Sequence, residues 1–146
     1  MCIGKGQKDK FSVAQYFYPK SSGIMDFVGL QITTAGEDQE KAVEEFQRKG
    51  DSESALLLQG LGDRVAEDFA EYIHQLLKQR AGLKRDQGGK RYSPGYPALE
   101  SLSANKTLFN ILGADDLGIS LTDSNGFYPT SATGAVVCFH PDASYS

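Results

Sequence analysis

From Ser52 to about Arg80, apolar residues recur at Leu57, Leu58, Leu61, Val65, Phe69, Ile73, Leu76 and Leu77. This three-and-four spacing keeps one stripe of an α-helix out of water. A helix over that range is about 40 Å long at 1.5 Å per residue, so the remaining elements have to pack along it. The spacing predicts a long helix buried along that stripe. Gly60 and Gly62 weaken its first third, by about 1 kcal/mol each relative to alanine, without ending it.

Around that helix the chain carries both strand-like and helical stretches. Residues 11–18 are rich in strand formers and run into a Pro-Lys-Ser-Ser-Gly turn; Asp26 to Thr34 then carries Phe27, Val28, Leu30 and Ile32 and is bounded by Gly36. Together they predict an antiparallel hairpin. Ala42, Val43 and Phe46 stand at helical spacing among charges between Glu37 and Lys49, and Gly50 closes an exposed amphipathic helix. Six glycines and prolines mark residues 82–97 as loop. A short helix around Ala104–Leu112 ends at Gly113, and Ile119–Thr122 and Ala135–Phe139 read as two more strands separated by an Asn125-Gly126 turn. Strands, then helices, then strands again predict an α+β domain with a mostly antiparallel sheet, one long buried helix and shorter helices. The strand–helix alternation of a Rossmann fold is absent. At 146 residues the chain reads as a single domain, 1–146, without internal repeats.

Composition narrows the function classes. A net charge of −4 and a pI near 5.1 argue against a nucleic-acid-binding face, which needs clustered Lys and Arg in excess. The basic cluster Lys84, Arg85, Lys90 and Arg91 is interrupted by Asp86 and two glycines and reads as a solvated loop, Arg91 excepted. No apolar run approaches the ~20 residues that a bilayer demands. Cys2 and Cys138 are too few for a disulfide framework or a thiolate metal site, and the N-terminus lacks the apolar core of a signal peptide, which predicts reduced thiols and a cytoplasmic protein. Phosphate-binding and zinc spacings do not occur.

Three places can carry chemistry. Arg91-Tyr92-Ser93-Pro94-Gly95-Tyr96-Pro97 is a loop that its prolines and glycine hold open, with an arginine fit to clamp a carboxylate directly before it. On the long helix, Glu67, Glu71 and His74 project from one side, either as a polar face in water, as a ligand-facing carboxylate at Glu67, or, at Glu71 and His74, as one of the two Glu-x-x-His elements that a di-iron site needs. In the tail, His140 reads as a loop-bonding residue, and Tyr145 follows the last strand closely enough to fold back over a cleft.

In this order and at these separations, Asp63–His74, Arg91–Ala98, Leu117–Thr122 and His140–Tyr145 resemble the S-adenosylmethionine-binding activation domain of cobalamin-dependent methionine synthase. The resemblance implies an S-adenosylmethionine site formed by Glu67, Arg91, Ser93, Pro94, Gly95, Tyr96, Tyr145 and Ser146. Arg91 matches the arginine that meets the ligand carboxylate, and the Ser93–Tyr96 backbone would lie along the nucleoside. It further implies a role in reactivating cobalamin on a partner domain or protein, where an electron from flavodoxin or a flavin reductase is coupled to methyl transfer. The family domain is roughly twice as long, so the chain corresponds to its C-terminal half and a complementary half is a further expected partner. The glutamate expected before Arg91 is missing, with only Asp86 nearby, and Leu99 stands where relatives carry cysteine. A second reading is a docking module for a corrinoid protein, without a competent ligand site.

Overall fold

The computed structural model describes residues 12–84 and 87–145. Its scaffold is a three-stranded antiparallel sheet of β1 (Val28–Thr34), β2 (Lys90–Tyr92) and β5 (Ala132–Cys138), in the order β1-β5-β2. The central strand pairs with both neighbours: Val28 lies opposite Cys138 and Thr34 opposite Ala132, while Arg91 lies opposite Val137. A second ribbon joins β3 (Ser120–Leu121) to β4 (Phe127–Tyr128) through Asn125, whose φ of 62° the Asn-Gly turn requires.

Among the described residues three α-helices complete the domain: α1 (Glu37–Arg48), α2 (Ser52–Arg80) and α3 (Ser103–Leu112). The Asp51 carboxylate caps α2 by accepting from the Ser54 amide at 3.0 Å, and α3 stops at Gly113 in the left-handed conformation. The length of α2 is as the apolar spacing predicts, but its buried side differs. Leu57, Leu61, Val65 and Phe69 are exposed, and Ala55, Gly62, Ala66, Ala70, His74 and Lys78 face inward. Small residues win that side because the sheet and α1 come too close for leucines. The Gln31 amide donates to the Ala70 carbonyl at 3.1 Å, the Thr33 hydroxyl to that of Ala66 at 3.0 Å, and Gln39 of α1 to that of Leu58 at 3.1 Å.

Three further expectations are corrected. Residues 13–16 form a 3₁₀ turn instead of a strand, and β1 pairs with β5, so the predicted hairpin does not form. The stretch 82–97 contains β2, which the sheet recruits despite the flanking glycines. The Asn125-Gly126 turn joins β3 to β4 and leaves β5 to the main sheet.

Candidate functional site

Arg91 sits in β2 at the edge of the sheet, across from α2. Its Nη2 donates to Glu67 Oε2 at 2.7 Å, and its Nε lies 3.7 Å from Glu71 Oε2. One helical turn separates the two glutamates, so both reach the same guanidinium. The arginine side chain is 17% exposed and the glutamates are about half exposed, which leaves the ion pair at the lip of a groove and not in the core.

The proline loop forms the next wall. Gly95, at φ 92°, donates its amide to the Leu99 carbonyl, and the Leu99 amide returns a bond to Tyr96, both at 2.9 Å. A side chain at Gly95 would be strained in that conformation. The tight turn buries Pro94 and throws the Tyr96 ring into solvent.

The tail forms the third wall, and Ser144 anchors it. Its carbonyl accepts from the Tyr92 hydroxyl at 2.6 Å, and its amide donates to the Tyr16 hydroxyl at 3.2 Å. Tyr145 then lies edge-on to Tyr92 at 5.8 Å, with the Lys90 ammonium 5.1 Å from its ring centre. Burial raises the Tyr145 hydroxyl pKa, opposed by the charge and backbone amide of Arg91.

The result is a groove of about 360 Å³ lined by Glu67, Arg91, Tyr92, Ser93, Tyr96, Pro97, Ala98 and Tyr145. Of the residues expected at the site, Glu67, Arg91, Ser93, Tyr96 and Tyr145 come together there. Pro94 and Gly95 shape the loop without lining the groove, and Ser146 lies outside the described residues.

A model of the vitamin B12-dependent methionine synthase activation domain matches residues 3–146 of the chain. The chain belongs to that family. Among solved structures it resembles the MetH reactivation domain bound to AdoHcy, at 27% identity with a TM-score of 0.83. The match covers 91% of this chain and 45% of that one, so the chain spans about half the length of its solved relative.

Within this activation-domain fold, some residues depart from their sequence reading and others keep it. Glu71 shares Arg91 with Glu67 while its side chain stays half exposed; among the described residues no cluster of three His, Cys, Asp or Glu could hold a metal. Burial raises the Glu71 pKa, but hydrogen bonds to Gln75 and His74 and the charges of His74 and Arg91 outweigh it, for a net lowering. His74 is 5% exposed, and burial lowers its pKa against the pull of Glu71. It reads as a core histidine holding Glu71 in place. His140 accepts from the Asp142 amide at 3.2 Å and packs on Tyr16, a loop-bonding role. Cys138 is buried, which pushes its thiol up and makes it unreactive, while Cys2 and Asp86 lie outside the described residues. Sequence reasoning also missed a larger cavity of about 560 Å³ between the end of α2 and the 16–29 segment, where Tyr16, Phe27, Leu77 and Phe139 meet. Its walls come from four separate parts of the chain and leave no local pattern.

Proposed function

We propose that this activation-domain chain binds S-adenosylmethionine in the groove between α2, the proline loop and the tail, and presents it to a cobalamin on a partner domain or protein. The observation that carries this reading is the convergence of Glu67, Arg91 and Tyr145 on one concave surface. A volume of about 360 Å³ suits a small ligand. Arg91 has the planar fork that receives an amino-acid carboxylate, and the neighbouring Glu67 can take the ammonium of the same zwitterion. The exposed faces of Tyr96 and Tyr145 offer stacking surface to the nucleoside.

S-Adenosylmethionine brings the methyl group and cobalamin accepts it in a reductive step, with flavodoxin or a flavin reductase as electron donor. The residues lining the groove bind and orient; they contribute position and electrostatics while the ligands carry the chemistry. The chain acts in the cytoplasm as one domain, 1–146, equivalent to the C-terminal half of the longer domain, and a complementary half adds contacts that it lacks.

One observation favours a second reading. The Arg91 guanidinium is already engaged by two carboxylates, as in a docking module that keeps the fold but no longer needs the ligand. Calorimetric titration with S-adenosylmethionine decides between them. Saturable binding that weakens in Arg91→Ala supports the ligand site. Absence of binding, with a corrinoid protein still captured, supports the docking module.

A further inference from the structure

The outward side of α2 carries Leu61 at 59% exposure, Val65 and Phe69 each at 49% and Tyr72 at 57%. These residues lie at successive three- and four-residue steps and so form one apolar band along the helix. The inward side is already satisfied by β1 and α1, through Gln31, Thr33 and Gln39. Beside the band stands an ion pair, Arg64 Nη2 to Asp68 Oδ1 at 2.9 Å, with both side chains mostly exposed.

We propose that this band pairs with the same band of a second copy, with the two α2 helices antiparallel across a two-fold axis near Ala66 and Glu67. The sequence is self-complementary about that point. Antiparallel pairing sets Val65 against Phe69 of the partner subunit, Leu61 against Tyr72 of the partner subunit, and Arg64 against Asp68 of the partner subunit. All three pairs are centred within one residue of the same axis. Each chain's ion pair then meets its symmetry mate with signs alternating, so a basic and an acidic side chain face each other twice across the interface. A two-fold contact requires this self-complementarity, which a partner of unrelated sequence would not impose.

Analytical ultracentrifugation of the whole chain over a concentration series tests the pairing. The wild type should sediment as a concentration-dependent dimer. Val65→Glu, at an exposed site that leaves the circular dichroism unchanged, should give a monomer. Arg64→Asp should weaken the dimer at least ten-fold by gathering four acids at the interface, and Arg64→Asp with Asp68→Arg should restore it. A wild-type monomer at the highest concentrations, a dimer untouched by Val65→Glu, or a double variant no better than Arg64→Asp would each overturn the proposal. Ligand titration on the same samples is independent of these outcomes, so failure of the groove reading leaves this one standing.

Discussion

Arg91 holds α2 to the sheet edge and offers its remaining donors to the groove, so its loss acts on both. Removing one charge-assisted contact costs about 1.5–3 kcal/mol, so Arg91→Ala should weaken S-adenosylmethionine binding roughly ten- to a hundred-fold with the fold intact. An unchanged dissociation constant by calorimetry removes Arg91 from the site. The same change leaves Glu67 and Glu71 one turn apart without their shared cation. Carboxylate titration by NMR should show the Glu71 pKa move upward, since the Arg91 charge helps to lower it. Tyr92 works differently, because its buried hydroxyl is what ties the tail to the sheet. Tyr92→Phe should lower stability by about 0.5–1.5 kcal/mol and release the last residues to a carboxypeptidase. Stability within error of the wild type, with the tail still protected, would show that Tyr16 holds Ser144 unaided. Glu67 and Arg91 were legible in the sequence as a helix carboxylate and a loop arginine. The part of Glu71 was not, because it depends on β2 lying beside α2, which no local pattern states.

At the scale of elements, periodicity revealed the existence and length of α2 but not which side faces in. The leucine band looked like the core, yet the close approach of β1 and α1 selects the alanine and glycine side instead. The two glycines of α2 make that difference measurable. A Cβ on Gly60 meets nothing within 4 Å, so Gly60→Ala should stabilise by about 0.5–1 kcal/mol through helix propensity alone. A Cβ on Gly62 falls 2.5 Å from Gln39 and 2.7 Å from the Ser131 hydroxyl, which also bonds Asp63 and Gln59. Gly62→Ala should therefore cost about 1–3 kcal/mol despite the same gain in propensity. Equal effects of the two in urea denaturation would contradict the packing of α1 on α2. The strand pairing was illegible for a related reason. Turn chemistry marks hairpins such as β3–β4, whereas β1 meets β5 across nearly a hundred intervening residues and only burial of their shared face brings them together.

For the whole molecule, pH sets local burial against global charge. At neutral pH the chain carries a net charge of −4, so mild acidification relieves a small diffuse repulsion and on that ground alone would stabilise. His74 opposes this more strongly because it is almost completely buried, with Glu71 and Lys78 on its own helix and Arg91 from β2 acting on it. Burial holds its folded pKa below the unfolded value of about 6.5, so over that interval the unfolded chain binds more protons and stability rises with pH. The contribution is complete above about pH 6.5 and is lost as the pH falls below it. Glu71 acts in the same direction lower down: its folded pKa is lowered, so its contribution is present above the unfolded value and disappears as the pH falls through the folded one. Both local effects point one way, and desolvation of a buried imidazole outweighs a few dispersed surface charges screened by salt. Thermal unfolding followed by circular dichroism should therefore give a Tm that falls between pH 7 and pH 5. In His74→Gln the Tm should change less over that range, since the variant keeps a polar group at the position without a titrating one. A wild-type Tm that rises on acidification, or a variant with the same slope as wild type, would show that the buried histidine does not govern the acid response.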